Sequence, residues 1–592
     1  MLDWAWGLAA FAVFCGFPGY PARQRFHSLT GVEAIALSVG TNASLVLLLN
    51  LVGAYYRLTI CAYVLAALPC IFFTMMRNVQ KRRFYWNLER LMPWLVISPI
   101  LLLVFYLAFF FPFLQWDAIA SWNRWAVAFT TEPGHLLGGR WFYPQFLSFS
   151  YSFIYKAAGN TSIVQLAHGL AFIHVLILVG AVEELSRQVG IKNRLAMGLV
   201  FVSTPFAQHV SSGYADIPSA AFATVSASVL LKTDKSNSHA RLLCLSAFAG
   251  WLAAIALLHK QLGAIPFIML PLAWVLTSSK DKRSLSLMGA VTFLAAGTLS
   301  ILPWSLRLGD WFGSYMGFLT QDIYGDITWT TRVLQACKSL LHEFSIILFP
   351  GINTVIALAS CVLALIAFFT IPRTRICTLT ATVATLAYIL FFSYDTRSLM
   401  AAVPLTCVSI AAGGEALFVW ACKPADVLLK RAEYALLMFL TILATSYQTH
   451  GIWKRFHPFQ HVATSAAFTI RPWAGNQEKL AMFIDGYPDL LAWEKAYPLK
   501  APLQYWLNDP RLCAIAQKGK PKRFNGFIDN LVKLDAPTPM WKRGDILLIS
   551  TNDVTLNSFI AKHVENGWIT RLDRIGSLTG YVVHEIHHQP PQ

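Results

Sequence analysis

Apolar runs long enough to cross a bilayer recur along most of this chain, and they constrain its fold more than any other feature. A helix needs about 20 apolar residues to span the hydrocarbon core. Runs of that kind cover approximately 3–17, 31–53, 56–76, 91–111, 161–185, 195–212, 217–232, 242–258, 263–278, 285–305, 350–371, 376–393, 399–420 and 432–449. Only 13% of the 592 residues are charged, against roughly a quarter in a soluble domain. The pattern predicts an α-helical polytopic membrane protein with about 14 transmembrane helices.

The basic connectors test that count. Arg23/Arg25, Arg77/Lys81/Arg82/Arg83, Arg187/Lys192/Arg194, Lys232/Lys235, Lys280/Lys282/Arg283, Arg373/Arg375 and Lys423/Lys430/Arg431 fall in alternate loops. The positive-inside rule makes that side cytoplasmic and puts the N-terminus, residues 112–160 and everything after residue 449 outside. It also accounts for the net charge of +17, which in a soluble protein would point to nucleic acid. The partner expected here is the lipid bilayer, with no nucleic acid. The ten cysteines lie mainly in apolar runs without CxxC spacing, so they imply no disulfide framework or zinc site. The first apolar run lacks a basic leader segment and a small-residue cleavage site, so no signal peptide is expected there.

From about Lys454 the composition becomes that of a soluble domain. Strand-like runs at 480–484, 545–550, 569–575 and 581–586, with a helical pattern at 555–566, predict a small extracytoplasmic α/β domain. The domains expected are 1–90, the first helices; 91–450, the membrane core with its outer loop 112–160; and 451–592. His584, His587 and His588 read as a solvated tail or a metal-binding one. Residues 338–349 read as a helix lying on the outer surface.

The outer connectors carry the chemistry-bearing residues. In the long loop, Asp117 follows Trp116 and precedes the aromatic–basic cluster Trp122-Asn123-Arg124-Trp125; a second cluster is Arg140-Trp141-Phe142-Tyr143-Pro144. Asp117 is either an interfacial acid paired with Arg124 or a general base close to both substrate and membrane. Asp216, between Gly213 and Pro218, is a turn residue or a second functional acid. Lys260, Arg307 and Arg397 end separate runs. Each alone is a snorkelling side chain; together, with two acids on the same face, they form an anion site in which Arg offers a planar fork and Lys a point charge. His259 is a hydrogen-bonding residue or a ligand for a divalent ion shared with Asp117 or Asp216. A divalent metal is thus the one candidate cofactor, although no metal-spaced motif is present. No Walker loop, GxGxxG or HExxH occurs, which removes support for nucleotide hydrolysis and metalloprotease chemistry.

The stretches WDAIASWNRWA (116–126), YPQFLSFSYSFIYKAAGN (143–160), GYADIP (213–218), HKQLGAIP (259–266), PWSLRL (303–308) and YDTRSLMAAVP (394–404) come in an order and on a side that resemble the bacterial branch of the GT-C glycosyltransferases. That branch is related to the protein O-mannosyltransferases and the lipid A aminoarabinose transferases. The resemblance covers about residues 91–420; the three runs before it are additional to the usual core, and a basic–acidic signature of the eukaryotic members is missing. It implies a polyprenyl-phosphate-linked sugar donor and inverting transfer to a cell-envelope glycan, lipid or protein outside the cytoplasmic membrane. Asp117 would be the base and Asp216 a second acid. Lys260, Arg307 and Arg397 would hold the lipid phosphate, with Trp116, Arg124, Tyr143 and His259 lining the substrate. A transporter or flippase would place its charges nearer the midplane on paired halves. A lipid-linked glycan polymerase or ligase would differ in its diphosphate donor, and a structural scaffold would not need the outer acids.

Overall fold

The computed structural model describes residues 2–110 apart from 27 and 82–87, 118–131, 144–308 apart from 162 and 235–237, 330, 333–334, 337, 353–456 apart from 393–395 and 423–425, and 546–550, 561, 564–567, 569–575 and 578–583. The helices in order are α1 (Leu2–Gly16), α2 (Gly19–Arg25), α3 (Gly31–Leu51), α4 (Arg57–Lys81), α5 (Leu88–Phe110), α6 (Arg124–Thr131), α7 (Phe146–Ala158), α8 (Val164–Val189), α9 (Leu195–Val202), α10 (Thr204–His209), α11 (Asp216–Thr233), α12 (His239–His259), α13 (Ala264–Thr277), α14 (Arg283–Leu308), α15 (Asn353–Thr370), α16 (Thr374–Ala387), α17 (Val403–Cys422) and α18 (Asp426–Phe456).

Eight described helices are long and apolar enough to cross a membrane, and three shorter apolar ones cover 261–277, 355–370 and 374–390. The other three expected spans are also helical, for different physical reasons. The 195–212 run is not one helix. It breaks at Ser203, whose backbone is extended, because Pro205 has no N–H to continue the ladder. Helix α11 carries serines and threonines yet is buried along nearly its whole length, so it need not satisfy lipid. Two of its hydroxyls bond across to α12, Ser219 to the Ala256 carbonyl (2.9 Å) and Ser226 to that of Ala249 (2.7 Å). Helix α18 begins with Lys430, Arg431 and Glu433, which dilute an otherwise apolar run.

The loop expected at 112–160 is largely helical where it is described. A π-helix at Ala118–Asn123 runs into α6, and α7 occupies Phe146–Ala158 with every residue buried. The aromatic residues that looked like loop surface are there to be packed: Phe129 and Phe149 meet at 4.8 Å, and Phe14 and Phe153 at 5.3 Å. Helix α7 ends at Gly159, whose φ of 70° closes the last turn. The Arg57 guanidinium sits 2.3 Å from where a Cβ would be and donates to the Ala158 carbonyl, and the left-handed backbone strains any other residue there.

The chain forms two compact units. One comprises Met1–Phe109, Trp125–Thr161 and Gln165–Gly451; the other comprises Phe110–Arg124, Ser162–Val164 and Ile452–Gln592. In the second, β1 (Ile546–Ser550), β2 (Ile569–Ile575) and β3 (Leu578–Val583) form an antiparallel sheet in the order β1-β3-β2. The third strand starts earlier than the pattern predicted. The expected strand at 480–484, the surface helix at 338–349 and the histidine tail lie outside the described residues.

Within the helical unit, side-chain contacts group several of the connectors expected on one side. At the basic end, Lys232 bonds Glu33 (2.5 Å) and approaches Glu184 (3.4 Å), which also pairs with Arg187. Glu415 accepts from the Lys192 and Asn193 amides, and Glu433 from the Arg194 amide. Loops expected on one side therefore meet one another. The connectors assigned to the opposite side meet as well: Asn160 bonds Asp3 at 3.0 Å, and His168 bonds the Ser211 carbonyl at 2.9 Å. These are called the inner and outer ends below.

Candidate active site at the outer helix ends

The turn from Val210 to Asp216 is the meeting point of the outer end. It is tight because Gly213 takes φ of 71° and Ser212 Oγ accepts from the Tyr214 amide at 3.2 Å. Two neighbours pin it from outside. Tyr151 on α7 donates its hydroxyl to the Gly213 carbonyl (3.1 Å), and His168 Nε2 on α8 donates to that of Ser211 (2.9 Å).

Two cations distant in sequence land on this turn. The Lys260 ammonium is 3.3 Å from Asp216 Oδ1, and both side chains are nearly buried. The Arg397 guanidinium lies 4.5 Å from the Tyr214 ring centroid, a cation–π distance. Tyr214 in turn faces the His209 ring at 5.4 Å. A small apolar cluster of Leu262, Tyr388 and Leu399 ties together the segments that carry these two cations. Residues 260, 397, 214 and 216 are thus brought to one place by packing between α12, α11 and the 388–399 segment.

Below Lys260, His259 donates Nδ1–H to the Ile255 carbonyl at 2.8 Å, which leaves Nε2 as an acceptor. Its ring stacks on Phe222 (5.3 Å) and meets the edges of Phe146 (5.6 Å) and His174 (5.8 Å). Nearby, Phe149 meets Trp304 at 6.3 Å. Around this aromatic nest several fully buried polar atoms have no partner of normal hydrogen-bond geometry: Gln145 Oε1, Asp216 Oδ2, His259 Nε2, Trp304 Nε1 and one ring nitrogen of His174, whose ring also interacts with the Leu170 carbonyl. Leaving such an atom unsatisfied costs about 1–3 kcal/mol, and a whole domain is stable by only about 5–15 kcal/mol. So many in one place call for water or a ligand.

The structure brings together Asp216, His259, Lys260 and Arg397 among the residues singled out from sequence. Arg307 lies in the last turn of α14 and Arg124 opens α6. Asp117, Trp116 and Tyr143 lie outside the described residues. Sequence reading missed Tyr214, Tyr151, His174, Gln145 and Trp304. For His174 a signal was available: an ionisable residue inside an apolar run is a functional candidate by default. The others look like ordinary belt or turn residues in sequence. Among the described residues no group of three or more His, Cys, Asp or Glu side chains could hold a metal ion. The Asp216 carboxylate faces an ammonium, Asp117, the other acid that could share such an ion with His259, lies outside the described residues, and no step is assigned to a metal.

No protein-family model matches this chain, and no curated protein matches it by sequence. Solved structures do. ArnT from Cupriavidus metallidurans bound to undecaprenyl phosphate superposes with a TM-score of 0.50 at 12% identity, over 84% of this chain and 99% of that one. Its apo form gives 0.49 at 12% identity over the same shares. The apo oligosaccharyltransferase of Archaeoglobus fulgidus gives 0.41 at 13% identity, over 71% of this chain and 60% of that one. The chain is a multi-pass membrane protein with the ArnT fold.

Proposed function

We propose that this protein is an inverting glycosyltransferase that takes a sugar from a polyprenyl-phosphate donor and passes it to a cell-envelope glycan, lipid or protein at the periplasmic face of a bacterial inner membrane. The observation that carries the reading is the convergence of Lys260 and Arg397 on the 214–216 turn. Two cations held at the outer ends of apolar helices suit a phosphate whose lipid tail lies in the bilayer. ArnT, whose fold this chain shares, was crystallised with undecaprenyl phosphate, and that lipid class is carried over to this site.

In this reading Asp117 takes the proton of the acceptor hydroxyl as its oxygen forms a bond to the anomeric carbon. The bond from that carbon to the donor phosphate oxygen breaks on the opposite face, and the electron pair leaves with the lipid phosphate. Lys260, Arg307 and Arg397 stabilise the growing phosphate charge, the part of the step at which fixed cations contribute most. Asp216 holds the Lys260 ammonium in place and orients the acceptor. Trp116, Arg124, Tyr143 and His259 line the substrate. Residues 91–450 form the catalytic core, 1–90 are additional helices, and 451–592 bind the acceptor or shield the site.

The test is binding of undecaprenyl phosphate to the full-length protein in detergent, followed by transfer assays. Lys260→Ala or Arg397→Ala should weaken lipid-phosphate binding more than acceptor binding. Equal loss for both substrates would count against a phosphate cradle. A transporter or flippase would move the lipid without breaking the sugar–phosphate bond, an outcome the same assay reads directly.

A further inference from the structure

We infer that the unpartnered polar atoms around the first turn of α7 form the subsite for the transferred sugar, and that this sugar is an uncharged, hydroxyl-bearing glycosyl group. The inference rests on the lipid-phosphate donor reading and goes beyond it by naming residues and a chemical class.

Four side chains from four parts of the fold supply the polar atoms. Gln145 immediately precedes α7 and makes no side-chain cap bond there. His174 comes from the middle of α8, His259 from the end of α12 and Trp304 from the last turns of α14. All four are buried, with Gln145 and His174 at 1% exposure, His259 at 0% and Trp304 at 2%. Contacts with one aromatic pair place three of them around one spot: Phe146 touches His259, Phe149 touches Trp304, Phe146 and Phe149 touch each other (6.1 Å), and His174 meets His259. Gln145 is the chain neighbour of Phe146.

The chemistry of the set selects the ligand. The Trp304 indole only donates, the neutral His259 Nε2 only accepts, and the Gln145 amide does both. A phosphate would need cations, and an ammonium would need free carboxylates; among the described residues the acid beside the nest, Asp216, is already matched to Lys260. An alkyl chain would need no polar atoms at all. Vicinal hydroxyls, each able to donate and accept, match a mixed neutral set, and the Phe146, Phe149 and Trp304 rings suit the apolar face of a sugar. Because Lys260 follows His259 directly, a phosphate on Lys260 would present its sugar to this nest.

The experiment measures dissociation constants for the full-length protein in detergent, by native mass spectrometry, with bare undecaprenyl phosphate and with its glucosyl, galactosyl, mannosyl, pentosyl and amino-sugar derivatives. At least one uncharged glycosyl derivative should bind about tenfold or more tightly than the bare lipid, the effect of about one buried hydrogen-bonded group. Trp304→Phe and Gln145→Met keep the packing and remove the polar atoms. Each should bring that ratio down about tenfold while leaving the bare-lipid constant and the melting temperature unchanged. Lys260→Gln should raise both constants together. The subsite is overturned if wild-type protein holds every uncharged glycosyl lipid no better than the bare one, as water alone filling the nest would give. It is also overturned if both variants keep the wild-type ratio, or if the amino sugar binds tightest. Failure of bare undecaprenyl phosphate to bind wild-type protein is a separate result, which removes the lipid-donor reading itself.

Discussion

The two ends of the helical unit differ in how they treat buried ionisable and ring groups, while single buried hydroxyls such as those of Ser186 and Ser246 lack a partner toward the inner end as well. At the inner end the acids Glu33 and Glu184 share the Lys232 ammonium, and Glu415 and Glu433 cap backbone amides of the 190s loop. The protein answers its own charges there, and helices far apart in sequence are tied together. At the outer end Asp216 uses one oxygen on Lys260 and keeps the other unpartnered, while imidazole, amide and indole atoms of His174, His259, Gln145 and Trp304 go unanswered. Two lysines, one half-buried and one buried, show the same contrast. Lys232 meets two carboxylates, whereas Lys156 on α7 has only the Thr130 carbonyl (2.8 Å) and the Tyr55 ring (5.1 Å). Polar groups satisfied within the chain hold the fold. A cluster of open ones is where water or a ligand can be taken up.

That contrast can be broken by experiment. The largest effect is expected from Asp117→Asn, which should lower the transfer rate roughly a thousandfold with an unchanged melting temperature; near-normal turnover would remove its role as base. Next, Lys232→Met at the inner end leaves buried Glu33 without its cation and takes one of two from Glu184; it should cost about 3 kcal/mol of stability, read as a lower midpoint in thermal unfolding. Affinity for undecaprenyl phosphate in the surviving folded protein should not change, and a selective loss of that affinity would show that the ends are not divided as described. Arg397→Ala at the outer end should do the reverse, with lipid affinity falling about tenfold and the unfolding midpoint nearly unmoved.

The smallest effect is a pH dependence at Lys156. Burial holds its amine below the usual lysine value of 10.5. The unfolded chain therefore binds that proton more tightly, and stability rises with pH across the window from the lowered folded value up to 10.5. Below that window the amine is charged in both states and the full cost of burying it is present. The melting temperature of wild type should climb slightly through mildly alkaline pH relative to Lys156→Met. Parallel curves for the two proteins would show that the amine is hydrated in place.

How much was legible beforehand differs from residue to residue. Lys260, Arg397 and Asp216 could be assigned to the outer end because the alternation of basic loops orients every span. Their meeting on one turn could not, since it depends on the Leu262–Tyr388–Leu399 contact across more than a hundred residues. The aromatic stretch 143–160 looked like a surface loop because nothing local reveals that α1, α3 and α4 would cover it; Tyr55 bonding Ser152 at 2.8 Å is one of the contacts that do so. The break at Ser203 was written in Pro205 but outweighed by the apolar run around it. Tyr214 and Trp304 carried no signal, because belt aromatics of the same kind occur at any membrane surface.

By itself the sequence determined that this chain is a bundle of apolar helices and predicted which way each one points. Water excludes long apolar runs and basic loops resist translocation, and both are local properties of the chain. Only the tertiary structure decided which polar groups find a partner and which are left open. A hydrogen bond exists only at about 3 Å, and that distance is fixed by packing between segments the sequence keeps far apart.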